Sequence, residues 1–84
     1  MATTKSPREP YVVQSVVHAA EILRAFQTRG EVLRLRDVVE RTTLGKGLCF
    51  RLLHTLRHCG LLEKIDESRY RLTSDIQRRK RYRI

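Results

Sequence analysis

The side chains whose spacing most clearly implies chemistry lie in one stretch, Leu44 to Gly60, LGKGLCFRLLHTLRHCG. Cys49, Leu52, Leu53 and Leu56 recur at the i, i+3, i+4, i+7 interval of an α-helix with one buried face. The opposite face collects Lys46, Arg51, His54, Thr55, Arg57 and His58 without an acid among them. Lysine and arginine donate hydrogen bonds to phosphate oxygens and, in the major groove, to guanine O6 and N7. A helix with one apolar stripe and one cationic face therefore suits the major groove of DNA. The competing reading is an ordinary surface helix, which more often mixes acids with bases.

A second chemistry is available on the same stretch. His54 and His58 stand four residues apart with Cys59 beside them, a spacing at which helical side chains can share a metal ion. No acid follows His54 in the metalloprotease pattern, and no second ligand cluster accompanies the group. The chain has no phosphate-cradling glycine loop and no nucleophile–base pair at a recognisable spacing. The expectation is a binding protein, not an enzyme, with no metal and no cofactor.

The positioning elements must come from a short chain. Eighty-four residues make one small domain with a modest core. The formal net charge of +9 points to a polyanionic partner, but it is uneven. Residues 76–84 hold Arg78, Arg79, Lys80, Arg81 and Arg83 and no acid, so the remaining chain carries 13 of the 18 bases against all nine acids. No apolar run approaches the length of a membrane span, so no membrane partner is expected. Cys49 and Cys59 are separated by roughly 15 Å of helix, beyond disulfide reach, and read as buried or half-buried thiols.

Residues 1–13, with both prolines and no periodic pattern, form a loose arm. Ser15 is a candidate N-cap for a first helix to about Gln27, with Val16, Ala19, Ala20, Leu23 and Phe26 inward, Ile22 widening the stripe, and Glu21 and Arg24 outward. Val32–Leu35 suggests a brief strand entering a second helix of about two turns through Val38, Val39 and Thr42. Arg36 and Asp37 stand at its start and Arg41 in its last turn. Thr43-Leu44-Gly45 then turns into the cationic helix, and Gly60 ends it. A short helix, a glycine-containing turn and a longer basic helix are the helix-turn-helix layout. Beyond Gly60 the period changes to two. Residues 61–65 and 69–72 read as strands about an Asp66-Glu67-Ser68 turn, with Tyr70 and Leu72 inward and Arg69 and Arg71 outward. This hairpin is either a DNA-contacting wing or a hairpin that seals the core.

In this order the residues resemble the DNA-binding domain of the IclR family of bacterial transcriptional regulators. The resemblance runs from about Val16 to Leu72 through AAEILRAF, LRDVVERTTLGK, RLLHTLRHCGLLEK and RYRL. It implies a mainly α, winged helix-turn-helix fold and double-stranded DNA as partner. It also implies a parent protein that acts in the cytoplasm as a homodimer on a two-fold operator. Three features depart from the family pattern. Gly45-Lys46-Gly47-Leu48 replaces a proline–lysine–serine–threonine type of helix start. Phe50 stands where a polar residue is usual. Thr73 replaces the glycine that commonly follows Tyr-Arg-Leu. Leu48 and Phe50 then either touch thymine methyl groups or anchor a protein partner, which is the alternative function. The expected DNA-contacting set is Arg36, Lys46, Gly47, Leu48, Phe50, Arg51, His54, Thr55, Arg69 and Arg71, all within a domain of residues 14–73. Residues 74–84 read as a basic linker. Its strand-like Arg81-Tyr82-Arg83-Ile84 suggests a domain cut from a longer protein, with a further domain, of a sugar-binding type, for a small-molecule effector.

Overall fold

Helix α1 (Gln14–Ala25) is followed by strand β1 (Val32–Arg34), helices α2 (Leu35–Arg41) and α3 (Lys46–His58), and strands β2 (Leu62–Lys64) and β3 (Arg69–Leu72) in a computed structural model that describes residues 10–74. Most of the N-terminal arm and residues 75–84, on which the linker and the strand-like ending were expected, lie outside the described residues.

The α1 periodicity places the core correctly in the second half of the helix and misplaces its start. Ile22, Ala25 and Phe26 are buried, with Ala19 and Leu23 packed against them. Val16, expected inside, is 64% exposed, because the first turn of α1 overhangs the core instead of lying on it. Ser15 is not the N-cap. Val13 takes that position with extended backbone and no side-chain cap, and its carbonyl accepts from Val16 N at 3.0 Å. The helix ends at Ala25, two residues before Gln27. The Glu31 Oε1 accepts from Gln27 N at 2.7 Å and from Thr28 N at 3.3 Å, which holds the chain out of helical path.

Glu31 also pairs with Arg41 at 2.9 Å, and Arg41 Nη1 donates to Ala25 O at 2.8 Å. Arg41 thus satisfies a carbonyl left open at the end of α1, a larger role than complementing the dipole of α2. The Arg41 guanidinium, followed by the Gln27 N–H, holds the Glu31 carboxyl well below its usual range, at about 2. At the start of α2, Asp37 Oδ2 accepts from Arg34 N at 2.9 Å. A guanidinium has no acceptor, so only this reverse half of a capping box can form there.

The helix-turn-helix turn is fastened from α1. Glu21, expected to point outward, accepts through Oε2 from Thr43 N at 2.7 Å and from Thr43 Oγ1 at 2.9 Å. Thr42 ends α2 by donating its hydroxyl to Val38 O at 2.9 Å, and the same oxygen accepts from Leu44 N at 3.3 Å. These bonds satisfy the polar groups of a turn that packs against the core.

The α3 stripe follows the sequence spacing closely. Cys49 and Leu53 are fully buried and Leu56 nearly so, with Leu52 half-buried beside them. Burying a leucine side chain contributes roughly 1.5–3 kcal/mol, so these residues set the angle at which α3 lies. Cys59, in contrast to expectation, is exposed, because it follows the last helical turn on the solvent side. Gly60 has φ +85°, a conformation an L side chain rarely adopts, and it reverses the chain into β2.

The strands form one antiparallel sheet in the order β1-β3-β2. The brief strand before α2 is therefore the third member of the wing sheet, with Leu33 opposite Tyr70 and Arg34 opposite Arg69. In the hairpin Leu62 faces Leu72, Glu63 faces Arg71 and Lys64 faces Tyr70. The register puts Leu33, Leu62 and Tyr70, all buried, on the inner face and Val32, Arg34, Glu63, Arg69 and Arg71 on the outer one.

Candidate nucleic-acid interface

The core stripe of α3 dictates which of its side chains face water. Successive residues advance about 100° around a helix, so with Cys49, Leu53 and Leu56 inside, Gly47, Arg51 and His54 lie on the outward face. Lys46 and Phe50 lie on the flank toward α2 and the wing. Lys46, Gly47, Phe50, Arg51, His54 and Thr55 are all exposed, and Leu48 is half-buried. Among the described residues, Lys46, Arg51 and Arg57 take part in no ion pair, and no acid lies on α3. The Thr55 hydroxyl is turned back onto its own helix, donating to Arg51 O at 2.8 Å. Phe50 and His54, one turn apart, stack with ring centroids 6.4 Å apart and an interplanar angle of 21°.

Beside this face runs an open groove of about 590 Å³ between the first turns of α2 and α3 and the hairpin. Arg36, Lys46 and Phe50 from the expected set line it, together with Arg34, Lys64 and Ser68, which the expected set does not include. Alternation in β2 carried the signal for Lys64, since a residue two after the buried Leu62 must share its face of the sheet. Its ammonium lies 5.7 Å from the centroid of the Tyr70 ring, a cation–π distance that steers the charge to the groove. Two acids, Glu40 and Glu67, sit on the groove rim.

Arg69 and Arg71 are brought to the same outer face of the sheet, but neither stands alone. Arg69 donates through Nε and Nη2 to Asp66 Oδ2 at 2.8 and 2.6 Å. Arg71 donates through Nη2 to Glu63 Oε1 at 2.9 Å across the strands. The Arg69 guanidinium, helped by the Ser68 N–H, holds Asp66 at about 2. Residues 62–72 carry three acids and three bases, so the hairpin brings no net charge to the surface. The described residues contain no cluster of three or more potential metal ligands, and no described helix is long and apolar enough to cross a membrane.

Three helices with the third exposed and cationic, and a small antiparallel sheet whose hairpin projects beside it, define a winged helix-turn-helix protein. The family model of the IclR helix-turn-helix domain matches residues 15–66. The chain is also similar to the crystal structure of an IclR family transcriptional regulator from Brucella abortus, with a TM-score of 0.73 and 28% identity. That similarity covers 83% of this chain and 27% of the Brucella chain, so this chain spans little more than a quarter of that regulator's length. No curated protein matches the sequence. The chain belongs to the IclR helix-turn-helix family.

Proposed function

We infer that this domain binds double-stranded DNA sequence-specifically as the reading head of a bacterial transcriptional regulator, acting in the cytoplasm as one of two copies on a two-fold operator. The observation that carries this reading is the exposed surface of α3, where Lys46, Arg51 and Arg57 stand without ion-pair partners among the described residues and without any acid on their helix. The N-terminal half of α3 enters the major groove, with Arg51 and His54 reaching base edges or phosphates and Lys46 at the helix start. Arg36, at the start of α2, and Lys64, on the hairpin, flank the groove and engage the phosphate backbone. Gly47 presents backbone alone at the helix start; a Cβ built there meets nothing within 4 Å, so the protein's own packing does not require glycine. Its absent side chain leaves room for close approach to a phosphate or base. Thr55 serves the backbone at the far end of the face. Arg69 and Arg71 stand behind acid partners and contribute orientation more than charge.

Selection of bound duplexes from a random pool at low salt tests this function. Enrichment of a common half-site, in a two-fold arrangement for the dimerised protein, is the expected result. A pool that stays unenriched would count against DNA recognition. The alternative, a protein-docking module anchored by Leu48 and Phe50, is weakened by the half-burial of Leu48, which leaves Phe50 as the exposed apolar group of the pair.

A further inference from the structure

We propose that Phe50 is a specificity-determining residue that recognises the 5-methyl group of a thymine in the major groove. The inference rests on the DNA-binding reading above and names one base feature that the α3 face selects. Phe50 is 53% exposed, although it follows the fully buried Cys49 in the middle of the helix. The 100° step from Cys49 turns it out of the core, so packing within the chain does not explain a phenyl ring at this position. It stands between the exposed cations Lys46, one turn before it, and Arg51, the next residue.

The ring's setting limits what it can recognise. His54 stacks against it from the C-terminal side at 6.4 Å, and side chains on a helix lean toward the N-terminus. On its N-terminal side lies the turn that contains Gly47, where a Cβ would meet nothing within 4 Å, so the space beside the ring is open. A phenyl group neither donates nor accepts a conventional hydrogen bond, so it cannot distinguish base edges by their donor and acceptor patterns. Of the four bases, thymine alone places an apolar methyl group in the major groove. Removing that methyl from water against the exposed ring is the contact that rewards an aromatic residue here.

The test uses the full chain and a duplex obtained by selection from a random pool. Each thymine is replaced in turn by deoxyuridine, which removes the methyl and keeps every hydrogen-bonding group. Binding is followed by fluorescence anisotropy. At one T·A position in each half-site, the replacement is expected to weaken binding by about fourfold, the worth of one buried methyl group. Phe50→Ala is expected to weaken binding to the thymine duplex by a similar factor and to abolish the difference between thymine and uracil. Phe50→Leu, which keeps an apolar contact, is expected to retain part of the difference. Circular dichroism confirms the fold of each variant. Salt-sensitive binding with no loss at any uracil position would overturn the proposal and leave the DNA-binding function standing, as would a selected sequence lacking thymine. Loss at one position that persists undiminished in Phe50→Ala assigns the methyl contact to another residue and also overturns it. Failure to select any duplex would overturn both readings.

Discussion

Helix α3 and the β2–β3 hairpin both carry several bases, yet they present different electrostatic surfaces. On α3, Lys46, Arg51 and Arg57 have no acid on their own helix and form no ion pair among the described residues. On the hairpin, Arg69 is held by Asp66 at 2.6 Å and Arg71 by Glu63 at 2.9 Å. A base already paired within its own element gains less from a phosphate, because the old contact must be shared or broken. Its neighbouring acid also meets the same negative partner. The two regions show that a count of bases does not give the charge a surface offers to a partner. What matters is which cations the fold leaves without an acid.

The strongest challenge to this contrast is removal of the unpaired cations. Lys46→Ala combined with Arg51→Ala should cost about 2 to 6 kcal/mol of binding to a selected duplex, at 1–3 kcal/mol for each good contact. Both residues are exposed, so unfolding by urea should change little. Anisotropy titration measures the first and a denaturation curve the second. Retained affinity in a folded variant would remove α3 as the reading element.

The wing invites the opposite manipulation. Glu63→Gln with Asp66→Asn removes both acid partners and leaves Arg69 and Arg71 in place. Affinity at low salt is expected to rise several-fold, with the gain shrinking as salt increases. No gain would mean that the hairpin stays away from the duplex whatever its charge.

A smaller effect separates the scaffold from the wing through pH. Glu31 and Asp66 both have folded-state values lowered to about 2 by a neighbouring arginine, from ordinary values of 4.5 and 3.8. Between these limits the unfolded chain binds more protons than the folded one. Each group's stabilisation is therefore present above its ordinary value and lost as pH falls through about 2. Glu31 joins the end of α1 to the end of α2, whereas Asp66 closes only a turn of its own hairpin. Glu31→Gln should thus lower the melting temperature at pH 7 more than Asp66→Asn does, and both differences from the unmodified protein should vanish near pH 2. Thermal melts across the pH range measure this. Solvent screening keeps both effects modest.

Much of the fold was legible in the sequence because its main signals are local. The i, i+3, i+4 spacing of Cys49, Leu52, Leu53 and Leu56 located α3, and Gly60 marked its end. The change to period two after Gly60 located the hairpin. Long-range pairings were less accessible. Nothing in local spacing shows that Glu21 reaches Thr43, that Arg41 closes α1, or that Val32–Arg34 joins the hairpin as a third strand. The exposed Val16 illustrates the same limit, since periodicity gives the face of a helix but not how far along that face the neighbouring elements extend. At the candidate site, the outward positions of Lys46, Phe50, Arg51 and His54 followed from the helical period. The pairing of Arg71 with Glu63 required the strand register, and the place of Lys64 in the groove that Phe50 also lines required the packing of hairpin on helix.

The salt dependence of binding tests the contrast between helix and wing most directly. The slope of log affinity against log salt concentration reports how many phosphates the protein neutralises, at about 0.9 per contact on duplex DNA. Measured on one selected duplex, it should become shallower by up to about two in Lys46→Ala/Arg51→Ala if both engage phosphates, and should remain nearly unchanged in Arg69→Ala/Arg71→Ala. An unchanged slope in the helix variant, together with a clear loss of slope in the wing variant, would contradict the account and place the charge-bearing contacts on the hairpin.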